Sequence, residues 1–299
     1  MAVITSPFDP TRTRSRSRVG LFLRDAPGVA LGIVAVLLIV AVFAPWIAPH
    51  DPLKPVPGAL SNTDPAWQTG DWSAVLGTDF QGRDILSRVI HGTRISVLVG
   101  LVGTVVAGSI GLAVGVVAGY LGGFVDQALM RIVDAWLAIP ALIFAVFLAM
   151  VFQDGLGIWS IVVILGAVFW TRYARVIRGE VLSLRERDYV RLAQVAGAGR
   201  WRVIRRHIIP NVLNTWMVLA SLTVGVVIIL EASLSFLGIG VPPPDPAWGS
   251  MIAEARIGLL AGNWVPVAAP AVPIAATVFA FNLLGDWLRV RLDPTQRNL

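Results

Sequence analysis

Apolar residues dominate six stretches of this 299-residue chain, at residues 28–48, 95–119, 132–152, 158–178, 212–237 and 264–284. Each is long enough, or nearly so, to cross a hydrocarbon core of about 30 Å, which takes roughly 20 helical residues. Backbone groups inside lipid must find their hydrogen bonds within the segment, so the pattern predicts an all-α membrane protein with six transmembrane helices. Pro45 and Pro49, with Trp46 between them, close the first span at an interface. Gly111, Gly115 and Gly119 recur at four-residue intervals in the second and predict close helix packing. Arg131 and Asp134 open the third, one turn apart and able to pair, and Pro140 is expected to kink it. Pro266, Pro270 and Pro273 predict that the sixth is bent or starts late.

Between the spans, the stretch 171–211 changes character. It carries Arg172, Arg175, Arg178, Arg185, Arg187, Arg191, Arg200, Arg202, Arg205 and Arg206. Leu192, Val195, Ala196, Val203, Ile204 and Ile208 recur in it at helical spacing, interrupted by Gly197 and Gly199, which predicts two short helices joined at a glycine bend. Asp188 is placed to cap the first, and Pro210 marks the start of a new helix. A plainer reading is an Arg-rich loop that only sets topology and touches lipid headgroups.

Composition agrees with a membrane protein: 56% of residues are hydrophobic and 14% charged, with a mean hydropathy of +0.75. Cytoplasmic loops retain arginine, and with the N-terminus inside, every basic residue except Lys54, Arg83, Arg88, Arg94 and Arg256 is cytoplasmic. Both termini are then inside. The five arginines before the first span resemble the start of a secretory signal, but the apolar run is too long for one, so a retained signal anchor is expected. The net charge of +6 needs no nucleic-acid partner, because lipid headgroups and the topology rule account for it. Without cysteine there are neither disulfides nor thiolate metal sites, and the only lysine, Lys54, lies outside any glycine-rich phosphate loop. No cofactor is expected on this chain.

The residues 191–210 resemble the cytoplasmic signature of permease subunits of ATP-binding cassette importers: Glu-Ala-Ala, three residues, Gly, nine residues, then Ile, any residue, Leu, Pro. Ala193, Gly197 and Pro210 match, while Arg191, Leu192, His207 and Ile209 replace the acid, the first alanine, the isoleucine and the leucine. Leu76-Gly77-Thr78-Asp79 with Gly82-Arg83-Asp84-Ile85-Leu86-Ser87-Arg88 is similar to a hallmark of the dipeptide, oligopeptide and nickel branch, in its second, C-type membrane subunit. Two more stretches of that branch are resembled, from Asp134-Ala135-Trp136 to Pro140 and from Glu231 to Gly238 with Pro242-Pro243-Pro244 and Trp248-Gly249.

The resemblance implies the fold of a type I importer transmembrane domain in a cell membrane of bacterial or archaeal type. It implies a coupling loop at 179–211 with helices at 188–196 and 198–209, in which Asp188, Arg191, Ala193, Gly197, Ala198 and Pro210 serve contact with an ATPase. The division expected is a cytoplasmic arm at 1–27, a first transmembrane helix at 28–48, an external loop with an interfacial helix at 49–94, a five-helix core at 95–290 and a tail at 291–299. Implied partners are a homologous permease subunit forming a heterodimer, two P-loop ATPase subunits or one fused pair holding ATP and Mg, and an extracytoplasmic substrate-binding protein.

Glu231 is the one carboxylate well inside an apolar run. Such a charge is costly unless it faces a cavity or a partner, which makes Glu231 and Ser235 candidates for the translocation path. The alternative is structural, with Glu231 bonded to Ser233, Ser235 or a neighbouring helix. In the external loop, Thr78 or Asp79 can cap an interfacial helix bearing Ile85, Leu86 and Val89. Two other classes compete. A self-sufficient secondary transporter or channel would need ion sites and often an internal repeat, which is not evident here. A membrane enzyme would need a nucleophile with a base or a metal cluster, and the scattered His50, His91 and His207 argue against it.

Overall fold

In a computed structural model the chain is described at residues 26–152, 157–260 and 262–292. Most of the expected N-terminal arm, with its arginines, and most of the tail lie outside the described residues. The helices are α1 (Gly28–Ile47), α2 (Ala66–Thr69), α3 (Ile85–Leu121), α4 (Gly123–Leu137), α5 (Ala141–Phe152), α6 (Ile158–Arg185), α7 (Asp188–Val195), α8 (Arg200–Val203), a π turn (Ile204–Ile208), α9 (Ile209–Phe236), α10 (Trp248–Leu260) and α11 (Val265–Leu292). Among the described residues there is no strand, only two isolated bridges, Pro55 with Arg83 and Thr78 with Asp84.

Five helices are long and apolar enough to cross a membrane: α1, α3, α6, α11 and the continuous rod Arg200–Phe236. The bent pair of α4 and α5 brings the number to six if it is one span. That pair departs from expectation, because Pro140 does not kink one helix but separates two at 92°. Pro140 cannot donate to the ladder, and its ring crowds the preceding turn, so α4 ends at Leu137 and α5 restarts with Phe144 N–H bonded to the Pro140 carbonyl. Asp134 pairs with Arg175 of α6, not with Arg131. Arg178 grips Asp126 of α4 through Nε and Nη2, at 2.8 and 2.6 Å. The two ion pairs fasten α4 along the end of α6.

The centre is α3 against α6. Facing pairs rise together, Gly103 with Leu165, Gly115 with Ile177 and Gly119 with Val181, so the two helices run parallel. Gly115 and Gly119 are required there: a Cβ at Gly115 would lie 2.7 Å from the Ala174 carbonyl oxygen, and one at Gly119 2.8 Å from Val181 Cβ. α9 runs the opposite way, with Gly100 of α3 at Ile228 and Gly108 at Trp216. Val99, Ala107, Leu165, Phe169, Tyr173, Val227 and Leu234 fill the space between the three. On α1, Val29, Val36, Ile39 and Val42 remain exposed, as suits a surface facing lipid.

Several boundaries move. Pro45 lies inside α1, which ends at Ile47. The external helix and the second span are one helix of 37 residues, about 55 Å long. Asp84 caps it, accepting from the N–H groups of Leu86 and Ser87 at 3.3 and 3.0 Å, so neither Thr78 nor Asp79 is the cap. The proline-rich 238–263 loop contains α10, a helix that the prolines on its N-terminal side obscured. α11 keeps Pro266 in its first turn, where a missing N–H is harmless, and accommodates Pro270 and Pro273 inside.

Candidate functional site

The parallel course of α3 and α6 and the reversed α9 bring three segments to one end of the bundle: the α3–α4 junction, the end of α6, and α7 with α8. Val116, Tyr120, Ile177, Val181, Val190, Val203, Ile208 and Val212 form one buried cluster there. Val190 is the residue of α7 that enters it, fully buried. On the remaining surface of the loop, Tyr189, Leu192 and Trp201 are exposed, and Val195 is 86% exposed. Four large apolar side chains that the chain itself leaves uncovered thus surround a short helix whose inner face is fixed in the core. An uncovered apolar patch of this kind marks a binding surface.

The glycine bend has a definite form. Gly197 stands at φ +81°, Ala198 N–H bonds to the Ala193 carbonyl and Gly197 N–H to the Gln194 carbonyl, each at 3.0 Å. These are the two bonds of a Schellman motif, which ends α7 sharply and satisfies its last carbonyls. Nothing lies within 4 Å of the place a Gly197 Cβ would occupy, so this surface is open. Ala198 is partly buried against the cluster. Arg191 is exposed and pairs with Glu186, and that hydrogen bond is the main cause holding the Glu186 carboxyl below its ordinary range.

Two expectations for this loop need correction. Asp188 is not the cap of α7 but its first residue, and Arg187 occupies the cap position without a side-chain bond. As a carboxylate in the first turn, Asp188 still complements the helix dipole. Pro210 does not begin a separate helix. The chain passes from α8 through the π turn into α9 without a break, because the wider turn, with Ile209 N–H bonded to the Ile204 carbonyl, makes room for a ring that cannot donate. The second short helix is thereby the foot of the span itself.

Glu231 and Ser235 stand far from this loop, Glu231 about 30 Å along α9 from Pro210. Glu231 is fully buried, accepting from Ser96 Oγ of α3 at 3.1 Å and from Ser235 Oγ at 2.8 Å. Ser235 Oγ in turn accepts from Val241 N–H at 3.2 Å. Ser233 bonds the Ile229 carbonyl instead. The carboxylate thus joins α3, α9 and the chain beyond α9.

The end of the bundle opposite α7 joins Asp79, Arg83 and Arg88, all from the 76–88 motif, to Glu254, which the sequence did not single out. Arg83 Nε lies 2.7 Å from Asp79 and its Nη2 2.8 Å from Glu254; Arg88 reaches the same Asp79 and lies 2.9 Å from Glu254. Arg83 and Arg88 are both buried. Burial pushes the Glu254 carboxyl above its ordinary range, with Arg83 drawing it down and Asp79 adding to the rise. Thr78 pins the 60–63 turn beside it, donating to the Leu60 carbonyl at 2.6 Å and accepting from Thr63 N–H at 3.0 Å. The motif residues 76–88 therefore build a polar cap that ties the 48–84 segment, α3 and α10 together. The signal available in sequence was Glu254, an isolated acid in an otherwise apolar stretch far from Arg83 and Arg88.

Comparison with known proteins agrees with this architecture. Residues 111–298 match the family model described as the binding-protein-dependent transport system inner membrane component, and residues 28–65 match the N-terminal TM domain of oligopeptide transport permease C. The di/tripeptide transport system permease protein DppC of Pseudomonas aeruginosa is 39% identical over 274 residues, covering 91% of this chain and 89% of the relative. The dipeptide transport system permease protein DppC of Haemophilus influenzae is 37% identical over 276 residues, covering 91% and 92%. The glutathione transport system permease protein GsiD of Pectobacterium atrosepticum is 38% identical over 274 residues, covering 91% and 88%.

Proposed function

Because the chain belongs to the family of binding-protein-dependent transport system inner membrane components, multi-pass and non-catalytic permease subunits of ATP-binding cassette importers, we propose that it forms half of the translocation path of an importer for di- or oligopeptides or similar small solutes. The other half is a homologous permease. ATP and Mg are held by two P-loop ATPase subunits or one fused pair, and a binding protein delivers solute from outside. The distribution of arginine supports an orientation with the α7 end in the cytoplasm.

The observation that carries the coupling role is α7: buried at Val190 in the core cluster, with Tyr189, Leu192 and Val195 uncovered on its open side beside Arg191 and Gln194. When the ATPases close on ATP, a groove holding Tyr189, Leu192 and Val195 would move the helix as a rigid piece. The Val190 cluster would pass that motion to α3, α6 and α9. Asp188, Arg191, Ala193, Gly197 and Ala198 form this piece, and Pro210 lies in the span that receives the motion. Glu231 and Ser235 act beside the path, as a strap between α3 and α9 that shapes its half of the bundle, a role their burial and bonding support.

The test is uptake of a radiolabelled dipeptide into proteoliposomes that hold this chain, its permease partner and the ATPases, with binding protein outside and ATP within. Uptake that requires both ATP and the binding protein is expected. Uptake that continues with the ATPases omitted would overturn the reading in favour of a secondary transporter.

A further inference from the structure

The polar cap has a hollow in it. A cavity of about 490 Å³ opens between the external segment, the start of α3 and α10, lined by charged groups of both signs and by Phe80, Ile85 and Met251. That volume falls within the range of small-molecule sites, which combine apolar walls with a few placed polar groups.

The charges of the wall fall into two sets. Asp79, Arg88 and Glu254 belong with Arg83 to the ion-pair cluster, two acids against two bases, and their charges satisfy one another. Asp64 and Arg256 also line the cavity, and among the described residues neither forms an ion pair or a side-chain hydrogen bond. One uncompensated anion and one uncompensated cation therefore face the same small, partly apolar space. A simple anion would gain Arg256 and be repelled by Asp64; a simple cation would meet the reverse. A ligand with both an ammonium and a carboxylate gains at both ends.

The geometry points to a binding subsite for a small zwitterion at the mouth of this chain, with the ligand's ammonium on Asp64, its carboxylate on Arg256 and an apolar side chain against Phe80 and Met251. The ligand class is a free short peptide with both termini unblocked. This rests on the proposed orientation and solute, and goes beyond them by placing on the permease itself a station that reads the two termini. A solute released outside would be held there before entering the path. Both residues are exposed, so their substitution leaves the folded core untouched.

The experiment uses the full importer complex in lipid nanodiscs without binding protein. Equilibrium binding of labelled alanyl-phenylalanine is compared with that of its N-acetyl derivative and its C-terminal amide, in the native complex and in Asp64→Asn and Arg256→Gln. The expected result is that native complex binds the unblocked peptide and that each block weakens binding roughly tenfold, the loss of one charge-assisted contact. Arg256→Gln is expected to weaken the unblocked peptide but to leave the amide unchanged, and Asp64→Asn likewise to spare the N-acetyl form. No binding, or binding indifferent to the blocks or to both substitutions, would overturn the subsite. ATP-driven dipeptide uptake, measured in parallel with binding protein present, separates the cases: uptake without direct binding refutes the subsite alone, whereas loss of both refutes the peptide reading.

Discussion

Arg88 is 2% exposed and shares Asp79 and Glu254 with Arg83, so its removal leaves two half-buried or buried carboxylates on one guanidinium. Arg88→Met is expected to cost about 3 kcal/mol, the usual penalty for breaking a buried pair, read as earlier thermal unfolding of the purified complex. The deficit should depend on pH. Glu254 has a carboxyl raised mainly by burial, and a raised carboxyl favours the fold while protonated and loses that contribution as pH rises through its folded value. With Arg88 gone the rise is larger, so the variant should lose more at pH 8 than at pH 5. Equal deficits at both would show that Glu254 is not the group left uncompensated. At this scale Glu231 was readable in the sequence because an acid inside an apolar run is conspicuous, and Ser235 as its bonding partner was one of the alternatives considered. Ser96 was not readable, since it lies on another helix. Glu231→Leu, which strands two buried hydroxyls, should cost about 1–3 kcal/mol and loosen α3 from α9, seen as faster amide exchange at their outer turns.

For the elements, hydropathy located the spans because a helix in lipid has no other way to bury its backbone. Their ends were less readable. Proline gave the same local signal in four places and three outcomes: a break at Pro140, passage through a π turn at Pro210, and tolerance inside α1 and α11. What decides is whether the freed carbonyl and the ring find room, which packing sets and spacing does not. The bounds of α7 were legible to within a residue because Gly197 must end it: the position needs φ +81°. Gly197→Trp places a side chain in open space but strains a residue held at φ +81°, so it is expected to deform the end of α7 and abolish coupling by holding the ATPase away, while the core of the bundle, which Gly197 does not touch, still assembles. Assembled complex that hydrolyses ATP and imports at the native rate would remove α7 from the mechanism. Gly115→Ala acts differently. Its Cβ meets the Ala174 carbonyl at 2.7 Å, a backbone atom that cannot turn aside, so α3 is pushed from α6 at a cost of about 1–3 kcal/mol. Lower thermal stability at unchanged ATP dependence is expected.

The molecule as a whole is a bundle with two differently finished ends joined by three helices that run its full length. One end is a cap of ion-paired Asp79, Arg83, Arg88 and Glu254 around a cavity that Asp64 and Arg256, unpaired among the described residues, also line. The other carries most of the described arginines and a short helix whose Tyr189, Leu192 and Val195 the chain leaves uncovered. Such asymmetry suits a part that receives solute at one face and force at the other. The family to which the chain belongs is of non-catalytic permease subunits whose ATPase is a separate subunit, and the proposed mechanism takes its force from there. The central claim is therefore about company. The decisive measurement is to extract the tagged chain from native membranes in mild detergent, identify what accompanies it in stoichiometric amount, and assay that preparation for ATP hydrolysis. A second permease and P-loop ATPases whose hydrolysis rises on adding the binding protein are predicted, with the rise lost in Gly197→Trp. A chain recovered alone, with no ATPase that can be added back, would contradict the account.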